Sequence, residues 1–242
     1  MDDFQLEPAH DFGLTHRQRT LSLRRESGLI ETATHALWWG GMRSYLYLYH
    51  RMQVRGLEHL PDRPPYVLIA NHSSHLDAML MAAPLPWTLR DRIFPIAAGD
   101  VFFETPVLAT FATICLNALP MWRHNCGRHA LKELRKRLVE EPCVYILFPE
   151  GRRSPDGSLL EFKAGLGMLI AGSGVPVVPC FIGGAHEAMP RDRRFPRPRR
   201  VRLQIGRPLT FDSLSNRREG WGQIAMVCRE AVELLGQAIP KG

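Results

Sequence analysis

Short apolar runs alternate with polar, turn-forming stretches over most of this chain, a pattern typical of proteins that mix strands and helices. Two longer stretches carry apolar side chains at helical spacing, which predicts helices from Gly127 to Glu140 and from about Arg218 to Ala238. Together these elements predict the α/β class, with a single mixed sheet flanked by helices. The strands predicted from the apolar runs are Tyr66–Ala70, Arg92–Ala97, Ala118–Trp122, Val144–Phe148, Val177–Ile182 and Val201–Ile205.

The stretch from Ala33 to Tyr49 is rich in apolar and aromatic residues. Trp and Tyr favour the lipid–water interface, so we interpret this stretch as an interfacial helix with the basic flanks Arg43 and Arg51. A helix that packs its aromatic residues on the domain itself would show the same pattern, and opposite faces of one helix can do both. No segment of the sequence reaches the roughly 20 apolar residues of a transmembrane helix. We therefore predict an N-terminal helical, membrane-facing appendage over residues 1–52.

The composition predicts one substantial core and a basic surface. Hydrophobic residues make up 45% of the 242, enough for one main domain. Lysine and arginine number 31 against 24 acidic residues, and the net charge of +7 suits anionic headgroups, coenzyme A or an acidic carrier protein. Nucleic acid fits the charge equally well, but no recognition motif supports it, so we expect no nucleic-acid partner. The five scattered cysteines are typical of reduced intracellular thiols that fill a core.

A histidine and a carboxylate follow the predicted strand Tyr66–Ala70 directly, in the segment Asn71-His72-Ser73-Ser74-His75-Leu76-Asp77. In open α/β sheets, ligands bind where the strands end. A histidine takes a proton from a hydroxyl near neutral pH, and a carboxylate holds its ring in one tautomer. The pair is the base half of a Ser-His-Asp triad without a serine of its own. It therefore favours direct attack by a substrate hydroxyl or amine on an activated acyl group.

The spacing between His72 and Asp77 sets a condition on this interpretation. On one continuous helix five residues turn about 500°, which would separate the side chains by about 140°. We therefore expect His72 in a loop and Asp77 in the first turn of a helix capped by Ser73 or Ser74. The alternative is that Asp77 only complements the helix dipole and His72 is an ordinary loop histidine. A metal site is less expected, because His-Glu-x-x-His spacing and a nearby cysteine pair are both missing.

A second motif, Phe148-Pro149-Glu150-Gly151-Arg152-Arg153-Ser154, follows the apolar run from Cys143 to Leu147. Together the two motifs resemble those of the glycerolipid acyltransferase family, typified by 1-acylglycerol-3-phosphate acyltransferase. His72 and Asp77 match its His-x-x-x-x-Asp block, and Phe148 to Ser154 match its Phe-Pro-Glu-Gly-x-Arg-Ser block. Two further blocks resemble residues 119–123 and 175–179. The resemblance covers roughly Val54 to Leu209 and implies an acyltransferase domain over residues 53–242.

The resemblance also implies roles for single residues. Arg123 and Arg153 would hold the phosphate of the acceptor, since phosphate recognition needs several positive donors. Glu150 and Gly151 would help bind the acceptor, although Glu150 can also serve only to hold the turn. Lys163 would face the pantetheine or a phosphate. The predicted site therefore has His72 and Asp77 as catalytic residues, and its substrate-binding residues are Arg123, Glu150, Gly151, Arg153, Ser154 and Lys163.

One departure from the family concerns the acceptor. The family's second block often opens with a lysine that the segment Ala97–Pro106 lacks, while Asp100 and Glu104 make the segment acidic. Other lysolipids, amino-acid lipids or secondary metabolites, acylated on oxygen or nitrogen, therefore stay open as acceptors. A non-catalytic lipid-binding protein of the same fold is a further alternative, against which the intact His72 and Asp77 argue. A hydrolase is disfavoured because no Gly-x-Ser-x-Gly elbow is present.

The sequence thus predicts an enzyme that moves a fatty acyl group from acyl-CoA or acyl carrier protein to a lysophospholipid hydroxyl, with 1-acylglycerol 3-phosphate as the first choice. No metal or redox cofactor is expected, since the thioester is a cosubstrate. The expected location is cytoplasmic, peripheral on the inner face of the cell membrane, against an anionic surface. The Arg- and Pro-rich segment from Pro190 to Arg200 is predicted to be exposed, either as a solvated tip or in contact with headgroups.

Overall fold

The computed structural model of the chain describes residues 13–23, 28–99, 103–121, 128–193 and 195–239. Its centre is a seven-stranded sheet in the order β1-β7-β6-β2-β5-β3-β4. Neighbouring strands are parallel except β6 and β7, which run antiparallel, so the predicted mixed sheet is confirmed. The strands are β1 (Gln53–Arg55), β2 (Tyr66–Ile69), β3 (Ile93–Ala98), β4 (Leu119–Met121), β5 (Val144–Leu147), β6 (Val177–Gly183) and β7 (Arg202–Ile205).

Helices cover both faces of the sheet. The α-helices are α1 (His16–Leu21), α2 (Leu29–Tyr49), α3 (Asp77–Ala82), α4 (Pro106–Ile114), α5 (Arg128–Glu140), α6 (Gly165–Ile170), α7 (Ala185–Ala188) and α8 (Arg218–Gln237), and short 3-10 helices span Leu57–His59 and Trp87–Arg92. Along β2, Leu68 belongs to a core cluster that it shares with α2 and α3. Its neighbours Val67 and Ile69 belong to a second cluster that they share with α5, α6 and α8. The alternation of side chains along the strand thus divides the core into two layers.

The strands and helices predicted from the apolar pattern are present within a residue or two of their expected bounds. Among the strands, only β1 was not predicted, because a three-residue strand with only Val54 apolar carries little periodicity. Helices α1, α4, α6 and α7 were not predicted either. Residues 122 and 127, predicted to end a strand and begin a helix, lie outside the described residues. Three of the cysteines, Cys143, Cys180 and Cys228, are buried free thiols; Cys126 also lies outside the described residues.

Helix α2 shows two different faces. It begins at Leu29, four residues before the predicted start, and its buried residues Trp39, Met42 and Leu46 belong to the same core cluster as Leu68. On the opposite side Ile30, Leu37 and Leu48 are 82%, 80% and 79% exposed. The helix therefore packs on the domain with one face, while the other stays open. In the described part of the chain, no helix is long and apolar enough to cross a membrane.

The register of the central strands places the two sequence motifs side by side. Tyr66 pairs with Val144 and Ile69 with Leu147, so β2 and β5 end at the same level. Because the strands are parallel, the segments that follow them leave the sheet at one edge. β6 pairs with β2 on the other side and extends past this level to Gly183. This edge is where the fold assembles the site.

Candidate active site

The imidazole of His72 is bonded to the carboxylate of Asp77. Nδ1 of His72 lies 2.8 Å from Oδ2 of Asp77. His72 sits in the loop after β2 and Asp77 is the first residue of α3, which is the arrangement that the spacing required. Since a carboxylate only accepts, Nδ1 carries the hydrogen and the lone pair stays on Nε2. His72 keeps 23% of its side chain exposed while Asp77 is fully buried, so the base is accessible and its partner is not.

The Asp77 carboxylate also organises the loop that precedes it. The backbone N–H groups of Ser73 and Ser74 donate to the same Oδ2 at 2.7 and 2.8 Å. The predicted serine cap is wrong, because Leu76 stands at the N-cap position and makes no side-chain cap bond. The hydroxyl of Ser74 accepts from the Leu76 N–H at 3.2 Å and donates to the carbonyl of Met189 at 2.9 Å.

Two contacts fix this loop against its neighbours in the sheet. The side-chain amide of Asn71 donates to the carbonyl of Ile182 at 3.0 Å and accepts from its N–H at 2.8 Å, so it pairs with β6 as a strand residue would. The ring of His72 stacks on Phe148, the residue after β5, with centroids 4.2 Å apart. The base is therefore held between the two strands that flank β2.

Glu150 clamps the backbone of His72 from the second motif. Its Oε1 accepts from the His72 N–H at 2.9 Å, and the Ser154 N–H donates to the His72 carbonyl at 2.7 Å. Glu150 is 2% exposed, and burial raises the pKa of its carboxyl to about 7 against the lowering effect of the His72 N–H. No hydrogen-bond partner for Oε2 is found among the described residues. Through its bond to the His72 N–H, Glu150 holds the turn that carries this histidine.

Gly151 and Lys163 lie in contact. Gly151 has φ +71°, the left-handed region that glycine adopts without strain. A Cβ added there would stand 2.9 Å from Nζ of Lys163, so the lysine side chain lies across the turn. The Lys163 N–H also donates to the carbonyl of Pro149 at 2.9 Å. Glycine is required here for backbone conformation and for space, and it brings an exposed ammonium group over the second motif.

Arg153 contacts a histidine to which the sequence assigned no role. Its Nη1 donates to Nε2 of His75 in the first motif. Burial, reinforced by the charges of Arg153 and His72, lowers the pKa of His75 to about 4, which keeps its ring neutral and able to accept. The short segment around His75 carries no sequence signal for this contact, because the two residues are far apart along the chain and meet only through strand pairing.

The structure brings together most residues of the predicted site. His72, Asp77, Glu150, Gly151, Arg153, Ser154 and Lys163 all lie at the edge where β2 and β5 end. The hydroxyl of Ser154 bonds Asp156 at 2.9 Å, so it is the backbone of Ser154 that reaches His72. Arg123 and Asp100 lie outside the described residues. Across the described ranges, no group of three His, Cys, Asp or Glu side chains fits a metal ion.

An apolar recess opens beside the catalytic helix, between α2, α3 and β3. Ala78, Met79 and Ala82 of α3 line one side, and Trp38 and Met42 of α2 line another. The recess is small and open to solvent, with a cavity volume of about 20 Å³. Ala78 directly follows the base partner Asp77, so the recess begins one residue from the dyad.

Comparison with known proteins gives consistent matches. A family model described as acyltransferase matches residues 51–183. The 1-acyl-sn-glycerol-3-phosphate acyltransferase alpha of Mus musculus is 29% identical over 171 residues, 70% of this chain and 59% of the relative. The Homo sapiens alpha enzyme is 32% identical over 153 residues, 62% of this chain and 52% of the relative. This chain thus spans little more than half the length of these two relatives.

A solved structure matches over most of both chains. The crystal structure of the 1-acyl-sn-glycerophosphate (LPA) acyltransferase PlsC from Thermotoga maritima aligns with a TM-score of 0.64 and 26% sequence identity. The alignment covers 88% of this chain and 82% of that one.

Proposed function

This chain belongs to the acyltransferase family, and from that premise we propose that it transfers a fatty acyl group from an acyl thioester to the free hydroxyl of a lysophospholipid. The acceptor we propose is 1-acylglycerol 3-phosphate, the substrate after which the relatives are named. The observation that carries the proposal is the His72–Asp77 pair, clamped by the second motif at the end of the central strands. Either acyl-CoA or an acyl carrier protein serves as donor.

The dyad supplies the base for the transfer. Nε2 of His72 takes the proton of the acceptor hydroxyl while the oxygen attacks the thioester carbonyl. The buried Asp77 carboxylate stabilises the imidazolium that forms and keeps the ring oriented. As the tetrahedral intermediate collapses, the carbon–sulfur bond breaks and the thiolate takes the proton back from Nε2. The thioester is already activated, so this reaction balances without a further cofactor.

The second motif supplies the positive groups for the acceptor. Arg153 lies at the mouth of the dyad through its bond to His75, and the Lys163 ammonium lies over Gly151. A phosphate between them gains charge-assisted hydrogen bonds from both side chains. Arg123, matched only by its sequence block, is the third expected contact. In this arrangement the phosphate fixes the acceptor so that its free hydroxyl faces Nε2 of His72.

The apolar recess beside α3 accepts part of an acyl chain. It is lined by apolar side chains and begins next to Asp77, so a thioester carbonyl at the dyad can send its chain between α2 and α3. Burying methylene groups there contributes about 0.8 kcal/mol for each CH₂.

The open face of α2 is the proposed membrane contact. The exposed residues of this helix include Leu29, Ile30, Leu37 and Leu48, and no exposed residue of α2 is charged. An uncharged helix face of this kind favours the headgroup–acyl boundary of a bilayer. The protein would then lie peripherally on the inner face of the cell membrane, where a lysophospholipid reaches the dyad without crossing water.

The test is thiol release by the purified protein from a panel of acyl-CoAs and acyl carrier proteins, with and without each lysolipid. Release that requires 1-acylglycerol 3-phosphate, and that disappears in His72→Ala, is the expected result. Release that depends on another lysolipid or an amine would overturn the proposed acceptor. Release that needs no acceptor would identify a thioesterase, and vesicle binding without any turnover would identify a lipid-binding protein.

A further inference from the structure

The segment after α7 forms an exposed basic surface close to the active site. It comprises residues 190–193 and 195–200, called here the arginine loop. Its charged residues are one aspartate, Asp192, and five arginines: Arg191, Arg193, Arg197, Arg199 and Arg200. Over the described ranges none of these arginines is paired with a carboxylate. The loop thus presents an uncompensated positive charge to solvent.

An aromatic side chain stands among these charges. Phe195 is 80% exposed, although the loop is fixed directly after it. The Arg197 N–H donates to the carbonyl of Ala188 at 2.7 Å, and the hydroxyl of Tyr49 donates to the carbonyl of Pro196 at 3.3 Å. An exposed phenyl ring on a fixed basic loop costs hydration free energy unless something apolar covers it.

The arginine loop is continuous with the open face of α2. Nδ1 of the buried His50 lies 3.3 Å from the carbonyl of Arg199, and the Val201 N–H donates to the His50 carbonyl. These bonds hold the loop at the end of α2 where Leu48 is 79% exposed. At its start the loop adjoins Met189, whose carbonyl accepts from the hydroxyl of Ser74 in the catalytic loop. The basic surface therefore joins the uncharged helix face to the mouth of the dyad.

We propose that the arginine loop is an electrostatic docking surface for an anionic bilayer, with Phe195 inserted among the headgroups. An acidic carrier protein would also match the charge, but the loop continues into an uncharged apolar helix face rather than ending in a polar rim, and this favours a lipid surface. Basic side chains attract anionic headgroups, while aromatic rings favour the interface. The loop and α2 then fix the orientation in which the dyad faces the membrane.

This inference rests on the proposed function only in placing the protein on a membrane through α2, and two kinds of vesicle separate the two claims. The affinity for phosphatidylcholine vesicles measures the contribution of the uncharged face of α2. The increase in affinity when phosphatidylglycerol is added to the vesicles measures the contribution of the arginine loop. Because each basic residue near an anionic surface strengthens binding about fivefold, replacing three should cost roughly 100-fold.

The experiment compares two triple variants of equal charge by vesicle co-sedimentation. The first is Arg191→Gln with Arg197→Gln and Arg199→Gln. The control replaces three exposed arginines, Arg207, Arg217 and Arg218, by glutamine. They flank a segment in which Leu209 pairs with Val177 and the carbonyl of Phe211 accepts from Gly172, at the opposite end of β6 from the loop.

We expect the loop variant to lose most of the gain from phosphatidylglycerol and to keep its binding to neutral vesicles, while the control keeps both. Turnover on an acceptor dissolved in neutral detergent micelles should be unchanged in the loop variant. Equal losses in both variants, or no loss in either, would overturn the proposal. It would also be overturned if the loop variant lost binding to an acyl carrier protein but not to anionic vesicles.

Discussion

The turns after β2 and β5 begin alike but use their charged groups differently. Each follows a four-residue buried strand, and the two strands pair in register along their whole length. After β2, the ring of His72 is partly exposed and its carboxylate partner Asp77 is fully buried. After β5, the carboxylate of Glu150 is itself buried, and its hydrogen bond goes to the backbone of His72. The first turn thus presents the partly exposed ring of His72, and the second turn holds its backbone in place.

The two carboxylates at this edge of the sheet also differ in their hydrogen bonds. Asp77 accepts three hydrogen bonds on one oxygen. Glu150 accepts from the backbone of His72, and burial raises its pKa to about 7 although the backbone hydrogen bonds from His72 and Leu160 lower it. The carboxylate bonded to the His72 ring thus also organises its own loop, whereas the carboxylate of Glu150 bonds the His72 backbone from the neighbouring turn.

The largest expected effect is that of removing the base. His72→Ala should lower the turnover number by about 10²–10⁴-fold, since general-base catalysis contributes that much. The measurement is acceptor-dependent thiol release under saturating acyl-CoA, with far-ultraviolet circular dichroism to confirm folding. Because the clamp uses only the backbone of residue 72, the loop should survive the substitution.

A matched control for this variant is His59→Ala. His59 is also half-buried, and its Nδ1 lies 2.9 Å from the carbonyl of Ile205, but it stands in the connection before β2, away from the dyad. We expect it to retain nearly full turnover. If His72→Ala were no slower than His59→Ala, the role assigned to the first turn would be wrong.

Glu150 should make stability depend on pH. Burial raises its pKa from the ordinary value of 4.5 to about 7, so the folded state favours the neutral form. The resulting stabilisation is fully present below about pH 4.5 and is lost as pH rises through 7, by about 3 kcal/mol at most. Urea unfolding of the wild type and Glu150→Gln across this range measures it. The difference in unfolding free energy between the two proteins should fall as pH rises, and a constant difference would show that Glu150 is ionised throughout.

The hydrophobic pattern predicted most strands of this chain because the central strands are short, fully buried and bounded by turns. β2 and β5 each have four consecutive buried residues, and a run of that kind leaves little ambiguity about where a central strand lies. The order of the strands is not contained in such runs. That β2 lies between β5 and β6 depends on packing between segments distant in the chain.

The site was predictable where its contacts are local and not where they are long-range. The five-residue spacing of His72 and Asp77 already required a loop residue bonded to a helix start, and the structure has this bond. The serine cap failed because the helix begins later than expected: its N-cap is Leu76, and Ser74 lies two residues earlier, where its hydroxyl accepts from the Leu76 N–H. The bond from Glu150 to the His72 backbone and the contact of Arg153 with His75 join turns that follow different strands, so no local sequence pattern predicts them.

Gly151→Ala tests whether the second turn needs its backbone conformation. At φ +71° an alanine pays about 1–2 kcal/mol of steric strain, and its Cβ would displace Lys163. We expect the free energy of unfolding to fall by that amount and the KM for the acceptor to rise. Thermal or urea unfolding checks the first expectation. Gly222→Ala on α8 is the control, since no atom lies within 4 Å of its added Cβ; equal stability of both variants would mean the turn relaxes freely.

The smallest effect is expected at the contact between the two turns. His75→Ala removes the acceptor for Arg153, and a hydrogen bond of this kind contributes about 1 kcal/mol, so the KM for a phosphate-bearing acceptor should rise about fivefold. The turnover number should change little, because His72 and Asp77 are untouched. His75→Gln keeps a side-chain acceptor and should restore much of the KM. If the glutamine variant instead matched alanine, or if turnover fell while KM did not, His75 would be acting on the dyad rather than positioning Arg153. A rise in KM confined to acceptors that carry a phosphate would tie the second turn to substrate binding and leave catalysis to the first.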